Sequence, residues 1–477
     1  MTMFFTQINK FGKQNAVFDG SEWLSYQALD DLVKEKKTYL VKRLGHEKQV
    51  VALTASNTLL TLVNYLALLQ LKQTIFFIES KALLTEQNNE SVSLCERFKI
   101  RYLLNDEALD SLPKALVHPS EKPVEIDTNI ALLMGTSGST GAAKYVMLSY
   151  ENLQHNAQDI CAYLPIQASD KTITTLPFSY AYGLSIINTH LLKGAAIVMT
   201  TFSVMQREFW EMLSVHQVSS FGGVPYTYEM LLRLRFTQKE LPSLRYFTQA
   251  GGKLARSHLD SLVSYAEQHN KQFFVMYGQT EATARMSFAN LEKLLSKPTS
   301  IGCAIPNTHF KLIDEKKDLI SHTNQEGELV FYGENVMLGY AQTVKDMINV
   351  EPLPFLETGD LAICDDQGDY YISGRIKRII KLFGERFNLD DVQQKAILFF
   401  TDQNLACVGD DKHLYILIES NAPSKELIAQ CDQQRKALAK YLKLNHRSLK
   451  VCFMQNLLRT KNGKLDYSSL LNEVMGH

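Results

Sequence analysis

A loop rich in glycine and hydroxyl groups is the segment of this 477-residue sequence that most directly suggests chemistry. It follows the apolar run Asn129–Met134 and ends at a lysine. Its members are Thr136, Ser137, Gly138, Ser139, Thr140, Gly141, Ala142, Ala143 and Lys144. Glycines let backbone N–H groups converge on an anion, while the hydroxyls add donors and Lys144 adds positive charge. The segment predicts a polyphosphate-binding loop, although taken alone it also fits a flexible Gly/Ser connection.

The glycine spacing distinguishes this loop from two other nucleotide-binding motifs. No Gly-Lys-Ser/Thr follows at Walker spacing, and the glycine offsets do not fit a Rossmann fingerprint. A helix is predicted to begin near Ser149. Its apolar stripe is formed by Leu153, Ala157, Ile160, Cys161 and Leu164.

A second candidate segment contains Tyr277, Gly278, Gln279, Thr280 and Glu281. An aromatic ring beside glycine offers a flat surface for a purine, and the Thr280 hydroxyl is a donor for phosphate. One carboxylate is sufficient for Mg²⁺ when phosphate oxygens supply other ligands, so Glu281 is the candidate metal ligand. The same residues also fit a helix start with Thr280 as its N-cap.

These two segments, with four others in order, resemble the signatures of the acyl-adenylate-forming (AMP-binding) superfamily. That superfamily includes acyl-CoA synthetases, adenylation domains of peptide synthetases and firefly luciferase. The other segments are Ala250–Lys253, Glu357–Leu361, Gly368–Gly384 and Arg459–Lys464. The sequence departs from the usual pattern at Ala143, Tyr145, Leu389 and Leu458.

The resemblance implies roles for individual residues. Lys464, Thr280 and Glu281 are the expected catalytic residues, and Glu281 also holds Mg²⁺. ATP is expected at Thr136, Ser137, Gly138, Ser139, Thr140, Gly141, Lys144, Gly251, Gly252, Tyr277, Gly278, Gln279, Asp360, Ile372 and Arg375. Of these, Asp360 and Arg375 are assigned to the ribose, although an aspartate in such a sequence also fits an ordinary β-turn. Lys377 is the expected interdomain hinge, with Lys381 and Gly384 in the segment that turns toward the thiol acceptor.

The segment Leu176–Gly183 resembles the substrate side of the family's site. The expected acid pocket comprises Tyr180, Tyr182, Gly183, Phe221, Gly222, Ala250 and Ala284. No aspartate occurs in this region to pair with an α-ammonium group, and a buried ammonium without a partner is costly. We therefore expect a fatty or aryl acid without an α-amino group, although the same side chains also fit an ordinary core.

The amino-acid composition limits the classes of binding partner and the cellular compartment that we expect. Lys plus Arg number 50 against 51 Asp plus Glu, which gives no electrostatic footprint for nucleic acid or an anionic membrane. The local basic run of Arg375, Lys377, Arg378 and Lys381 is interpreted as a solvated face. Seven dispersed cysteines without a CxxC spacing, and no apparent signal peptide or spanning segment, favour a cytoplasmic protein.

Short β-branched runs alternate with helical patterns, as in the strands predicted at Val50–Thr54 and Thr74–Ile78 around a helix over 59–71. This alternation predicts an α/β fold of mostly parallel sheets. We expect a large body over residues 1–376, including a small β-rich layer. The resemblance implies that a small, mobile α+β cap over residues 377–477 carries the catalytic lysine.

The expected function is ATP- and Mg²⁺-dependent activation of a carboxylic acid to acyl-AMP, followed by thioester formation with CoA. Two alternatives remain open. One is a stand-alone enzyme that loads the phosphopantetheine of a separate carrier protein. The other is a catalytically weak nucleotide-binding member of the fold.

Overall fold

The computed structural model describes residues 2–78, 89–104, 114–115, 124–135, 144–382, 385–401, 403–460 and 464–476. The helices of these residues are α1 (Tyr26–Leu44), α2 (Leu59–Gln70), α3 (Asn89–Phe98), α4 (Tyr150–Tyr163), α5 (Ala181–Lys193), α6 (Arg207–Val215), α7 (Pro225–Arg233), α8 (Arg256–Gln268), α9 (Leu291–Ser296), α10 (Leu389–Phe399), α11 (Lys425–Tyr441) and α12 (Tyr467–Met475).

The strands are β1 (Asn15–Phe18), β2 (Trp23–Ser25), β3 (Val50–Thr54), β4 (Thr74–Ile78), β5 (Tyr102–Leu104), β6 (Lys114–Ala115), β7 (Ile130–Gly135), β8 (Tyr145–Ser149), β9 (Lys171–Ile173), β10 (Ala196–Val198), β11 (Ser220–Gly223), β12 (Tyr246–Gln249), β13 (Gln272–Tyr277), β14 (Ser287–Ala289), β15 (Cys303–Ala304), β16 (His309–Ile313), β17 (Glu326–Tyr332), β18 (Gly339–Ala341), β19 (Leu356–Cys364), β20 (Tyr370–Arg375), β21 (Ile379–Leu382), β22 (Glu385–Asn388), β23 (Leu405–Gly409), β24 (Leu414–Glu419) and β25 (Leu449–Met454).

The chain forms two compact units. The first comprises Met1–Phe310 and Phe331–Leu356, and the second comprises Lys311–Val330 and Glu357–His477. The β-rich layer expected in the large body is thus divided, and most of it groups with the C-terminal segment. The predicted boundary between residues 376 and 377 is the hinge about which the C-terminal cap is expected to move. That boundary stays a prediction.

The larger sheet of the first unit has nine strands in the order β15-β14-β13-β12-β11-β9-β10-β1-β2. Strands β13, β12, β11, β9, β10 and β1 are parallel to one another, because helices such as α7 and α8 return the chain across the sheet, whereas β14 and β2 pair antiparallel with β13 and β1. Phe221, Phe247 and Phe273 stand in register on three adjacent strands. Their ring centroids are 6.0 and 4.5 Å apart, so one face of this sheet is built on an aromatic core.

The second sheet of this unit has the order β18-β8-β7-β4-β3-β5-β6. Its strands β3, β4, β5 and β7 are parallel, and β8 returns antiparallel to β7. Gly135 pairs with Tyr145, so the predicted phosphate loop connects the two strands of a hairpin. Residues 136–143 of that loop lie outside the described residues, as does Gly384.

The second unit contains the hairpin β21-β22 and the three-stranded sheet β23-β24-β25, with α10, α11 and α12. A four-stranded sheet of order β16-β17-β19-β20 precedes them in the chain. The core includes Ile380, Val392, Phe400 and Ile416, all buried. Mostly parallel sheets followed by a small α+β region confirm the predicted fold class.

The basic run was expected to be solvated, and for Arg378 that prediction is wrong. Its guanidinium is buried, and Nε donates to the Asp390 carboxylate at 2.6 Å. The guanidinium carbon lies 3.5 Å from the centroid of the Tyr467 ring, while Nη2 donates to the Cys407 carbonyl at 3.2 Å. Arg378 therefore joins α10, β23 and α12. Arg375, Lys377 and Lys381 are exposed, as expected.

Helix α4 begins with a capping box that also reaches another part of the chain. Ser149 Oγ accepts from the Asn152 N–H at 2.9 Å, and Asn152 Oδ1 accepts from the Ser149 N–H at 2.8 Å. The Asn152 side-chain amide donates to the carbonyls of Glu334 and Val336 at 2.7 and 2.9 Å. One buried side chain thus fixes both the helix start and the segment that leads into β18.

We expect Asn152→Ala to lower the free energy of unfolding by roughly 3 kcal/mol, because it removes the partner of the buried Ser149 N–H and Val336 carbonyl and of the Glu334 carbonyl. Asn290→Ala is the matched control, since Asn290 caps α9 through the Lys293 N–H alone. That control should cost only about 1 kcal/mol. Urea unfolding of both variants measures the difference, and equal losses would contradict the bridging role of Asn152.

Candidate active site

The carboxyl ends of four neighbouring parallel strands meet at one edge of the nine-stranded sheet. These strands are β9, β11, β12 and β13. Ligands of open α/β sheets bind at such edges, where the loops that follow the strands converge. The edge brings together three predicted segments: the residues around Tyr180 after β9, the Ala250–Gly252 turn after β12, and the Tyr277–Glu281 segment after β13.

The Gly-Gly turn is fixed by hydrogen bonds to its neighbours. The Ala250 N–H donates to the Gly223 carbonyl at 3.2 Å, and buried Gln249 donates from Nε2 to the Gly252 carbonyl at 2.9 Å. Gly251 has a φ of +89°, a region that favours glycine. The turn therefore lies directly beside the end of β11, with little side chain to obstruct a ligand.

The segment after β13 reverses sharply and is strained. Residues Thr280–Ala282 form one 3-10 turn whose N-cap is Gln279, so the alternative of a helix capped by Thr280 is wrong. Thr283 and Ala284 follow with φ values of +57° and +123°. A Cβ on Gly278 would lie 1.8 Å from the Ala284 carbonyl oxygen, which explains the glycine. Unfavourable backbone conformations of this kind cluster at functional sites.

Residues 335–337 hold this strained turn in place through hydrogen bonds. Buried Asn335 donates from Nδ2 to the Ala282 carbonyl at 2.8 Å, and the Thr283 hydroxyl donates to the Asn335 carbonyl at 2.7 Å. The Met337 N–H donates to the Glu281 carbonyl at 2.8 Å. These bonds fix the positions of residues 281–283.

Tyr340 is a site residue that sequence reasoning missed. Its hydroxyl donates to Glu281 Oε1 at 2.8 Å, and Lys144 Nζ lies 5.7 Å from the centroid of its ring. Burial, together with the Glu281 carboxylate, raises the pKa of the Tyr340 phenol, so it stays protonated as a donor. The contact depends on the pairing of β18 with β8, where Tyr340 stands opposite Val146. No local sequence motif predicts that pairing.

Tyr340 therefore brings Lys144, at the end of the phosphate loop, together with Glu281. Glu281 Oε1 is occupied by the phenol, which leaves Oε2 for another ligand. Mg²⁺ in nucleotide sites takes one or two carboxylates plus phosphate oxygens, and this half-buried carboxylate fits that role. Across the described ranges, no group of three or more His, Cys, Asp or Glu residues could hold a metal ion by itself.

The predicted acid pocket is partly closed. The Tyr182 hydroxyl lies 2.8 Å from the Thr248 carbonyl oxygen, to which it donates. A Cβ on Gly222 would lie 2.7 Å from that hydroxyl, so glycine is required there. Gly183 lies in α5 against the Pro177 carbonyl, where a Cβ would be 2.6 Å away. Ala284, with its strained φ, is also buried.

Phe221 and Gly222 have different surroundings. The Phe221 ring packs in the aromatic core with Phe247, and Phe221 also borders a cavity of about 10 Å³. Gly222 and Thr248 border the same cavity. Half-buried Tyr180 has its ring centroid 6.3 Å from that of Tyr182.

In the second unit, the two predicted ribose residues form an ion pair. Asp360 on β19 stands opposite Arg375 on β20, and Arg375 Nε donates to Asp360 Oδ1 at 3.0 Å. The Asp360 side chain is almost fully buried, whereas that of Arg375 is 58% exposed. Asp360 therefore lies in a strand, not in a simple β-turn. Ile372, also predicted at the nucleotide, lies on β20 opposite Ala362.

The predicted hinge follows at once. Residues Ile376–Arg378 form a 3-10 turn in which Lys377 is exposed. Just before it, buried Gly374 meets Asn388, the N-cap of α10. A Cβ on Gly374 would lie 1.8 Å from Asn388 Nδ2. The Lys381 N–H donates to Asp411 Oδ1 at 3.0 Å, so Lys381 is fixed through its backbone.

Lys464 lies at the base of a short two-stranded turn. The Thr460 N–H donates to the Lys464 carbonyl at 2.7 Å, and Arg459 bridges antiparallel to Leu465. The Asp466 N–H donates to the Leu458 carbonyl at 2.9 Å. The backbone of this lysine is therefore held in place, and α12 begins three residues later, at Tyr467.

Comparison with known proteins places the chain in a family. The AMP-binding enzyme family matches residues 74–341, which is more than half of the chain. Among curated proteins, oxalate–CoA ligase of Arabidopsis thaliana is 26% identical over 417 residues, covering 79% of this chain and 78% of that protein. D-alanine–D-alanyl carrier protein ligase of Staphylococcus haemolyticus is 26% identical over 391 residues, covering 78% of each.

Solved structures share the fold over the whole length. O-succinylbenzoate coenzyme A synthetase from Bacillus subtilis, in complex with ATP and magnesium, superposes with a TM-score of 0.79 at 20% identity. The alignment covers 99% of both chains. The fold and the matched region thus define an AMP-binding enzyme, and this chain belongs to that family. The predicted family is confirmed, as is an acid–thiol ligase as the class of enzyme.

We expect Tyr340→Phe to weaken the apparent affinity for Mg²⁺ in ATP binding by about tenfold. A hydrogen bond to a charged group contributes about 1.5 kcal/mol, and its loss lets the Glu281 carboxylate rotate. Glu281→Gln should weaken the affinity further, because it removes the charge itself. Tyr441→Phe, at an exposed tyrosine on α11, is the control. An unchanged Mg²⁺ titration in Tyr340→Phe would exclude the positioning role.

Proposed function

We propose that this chain uses ATP to convert a carboxylic acid to acyl-AMP and then transfers the acyl group to the thiol of CoA. The observation that carries the proposal is the Lys144–Tyr340–Glu281 arrangement, within the matched region and at the end of the phosphate loop. It sets a cation for polyphosphate beside a carboxylate for Mg²⁺. ATP, Mg²⁺ and CoA are the cofactors that this chemistry needs.

In the first half-reaction, a carboxylate oxygen attacks the α-phosphorus of ATP and the bond to pyrophosphate breaks. The protein aligns these atoms and stabilises the charge that spreads over the phosphate oxygens. We assign Lys464 to the carboxylate and α-phosphate oxygens, and Thr280 to the α-phosphate. Residues 136–141 and Lys144 hold the outer phosphates, and Glu281 holds Mg²⁺.

The nucleoside is assigned to two groups of residues. Gly251, Gly252, Tyr277, Gly278 and Gln279 offer a flat surface for adenine. The Asp360–Arg375 pair, with Ile372, is assigned to the ribose, because a carboxylate can accept from both of its hydroxyls.

In the second half-reaction, the thiol sulfur attacks the acyl carbonyl, AMP leaves and the thiol proton passes to solvent. The C-terminal cap rotates about Lys377 between the two steps, which removes Lys464 and brings the segment with Lys381 and Gly384 toward the thiol. Rotation of a domain about a few residues is a common way for one site to perform two reactions.

Two other functions remain as alternatives. Loading of a separate carrier protein is favoured by the similarity to D-alanine–D-alanyl carrier protein ligase. A weak nucleotide-binding protein is suggested by the departures at Ala143, Tyr145, Leu389 and Leu458. The retained Lys464, Glu281 and Asp360 argue against that alternative.

The predicted substrate is a fatty or aryl acid without an α-amino group. The cavity beside Gly222 has no acidic residue among those that line it, so an ammonium group would lack a partner there.

We place the protein in the cytoplasm, because none of the seven cysteines is joined in a disulfide, as is typical of a reducing compartment. No helix of the described residues is long and apolar enough to cross a membrane.

The deciding experiment is pyrophosphate release over a panel of carboxylic acids, followed by thioester formation with CoA or with a holo-carrier protein. Acid-dependent release excludes the weak nucleotide-binding alternative, and the preferred thiol separates the other two.

Lys464→Ala should lower adenylate formation by about a hundredfold or more, the scale for loss of one preorganised charge-stabilising donor. Folding should be largely retained, because the substitution keeps the Thr460–Lys464 and Asp466–Leu458 hydrogen bonds, which join backbone atoms. Pyrophosphate release and a thermal melt measure the two properties. Lys443→Ala serves as a control on the same unit, and normal turnover of Lys464→Ala would exclude the assignment.

Lys377→Pro should spare adenylate formation and slow thioester formation from preformed acyl-AMP. Proline fixes φ near −65° and removes an N–H, which restricts the rotation expected at this residue. This outcome requires that proline trap the cap in its adenylating orientation. Both half-reactions are measured on one preparation, with Lys377→Ala as the control for loss of the side chain. Equal losses in both steps would mean that Lys377 only supports the fold.

A further inference from the structure

Arg285 is a buried cation for which the fold supplies no counter-charge. Arg285 is 1% exposed, and its Nε has no hydrogen-bond partner. Nη1 donates to the Tyr163 hydroxyl at 3.4 Å, and the guanidinium carbon lies 5.0 Å from the centroid of the Tyr182 ring. In the part of the chain that the structure describes, no carboxylate forms an ion pair with it.

The groups around Arg285 are neutral. Burial lowers the pKa of His190 to about 4 and raises the pKa of the Cys161 thiol to about 12. Burial likewise raises the pKa of the Tyr182 and Tyr246 phenols. Each of these groups is therefore uncharged at neutral pH.

The buried carboxylate of Asp170 has its own partner. Arg245 Nη1 donates to both Asp170 oxygens, at 2.5 and 2.6 Å. An isolated buried charge destabilises a fold strongly, so the guanidinium of Arg285 calls for an anion from outside the chain.

Arg285 is not needed to hold its own backbone in place. The side-chain amides of Asn156 and Asn335 each donate to the Arg285 carbonyl at 3.2 Å. An apolar side chain of similar length would fill the same volume without a charge. The guanidinium therefore has a role other than packing.

The cavity that Arg285 borders adjoins the predicted acid pocket. Gly222, Thr248, His190 and Tyr246 also border it, and Gly222 contacts Tyr182 of that pocket. Its volume of about 10 Å³ is on the scale of one water molecule. A larger group enters only when an apolar lining side chain such as Ile186 turns aside.

We propose that Arg285 receives a second anionic group of the acid substrate, at the end opposite the carboxylate that is adenylated. The substrate is then a dicarboxylic acid, fatty or aryl in its middle, and Arg285 determines this specificity. The inference rests on the proposed function and adds a substrate class to it. An acid with a neutral tail leaves the buried guanidinium unpaired and is rejected.

The test compares matched acids in pyrophosphate release: hexanoate against adipate, benzoate against terephthalate, and each diacid against its half-amide. The wild-type protein should prefer each diacid by about a hundredfold or more in kcat/KM. Arg285→Met should abolish that preference, and Arg285→Lys should retain part of it. Arg256→Met, at an exposed arginine of α8, is the control and should keep the wild-type ratio.

A second measurement does not depend on turnover. Without substrate, Arg285→Met should melt at a temperature equal to or above that of the wild type, because it removes an uncompensated buried charge. Adipate or terephthalate, without ATP, should raise the melting temperature of the wild type and not that of Arg285→Met. Arg256→Met should respond as the wild type does.

The outcomes separate the two proposals. Preference for the monoacids, or a melting temperature of Arg285→Met well below that of the wild type, would overturn the anion site and leave acid activation intact. Failure of every acid to release pyrophosphate would count against the proposed function. In that case, a thermal shift by a diacid that depends on Arg285 would still support the anion site.

Discussion

The candidate site in the first unit depends on one set of hydrogen bonds, those between residues 281–283 and 335–337. The turn after β13 contains two residues with positive φ, and neither is glycine. Such a conformation persists only where its surroundings hold it. Buried Asn335 and the Met337 N–H provide that constraint, and the same segment leads into β18 and so to Tyr340. The position of the Glu281 carboxylate thus follows from a segment more than fifty residues away in the chain.

This arrangement explains which features could be predicted from sequence. Strands β3 and β4 were predicted with the bounds that the structure has, because they are short apolar runs between clear breaks. The start of α4 was predicted from Ser149, a capping residue directly before an apolar stripe. These features are encoded locally, so periodicity and capping residues suffice to find them.

Contacts between distant segments could not be predicted in this way. Tyr340 reaches Glu281 through strand pairing, and Arg378 is buried by Asp390 and Tyr467 instead of facing solvent. Arg285 lies one residue after the predicted pocket residue Ala284, yet its charge gave no sign that it would be buried. In each case the residue type was visible, and only the tertiary structure showed its surroundings.

Three residues with assigned ligand-binding roles lie within six positions in the turn after β13. Thr280 is assigned to the α-phosphate, Glu281 to Mg²⁺ and Arg285 to the far end of the acid. Because Thr283 and Ala284 reverse the backbone between them, Glu281 pairs with Tyr340 while Arg285 enters the cavity beside Gly222. The backbone that positions Glu281 therefore also positions Arg285. Buried Asn335 donates to the carbonyls of both Ala282 and Arg285, so one side chain holds the backbone on both sides of the reversal.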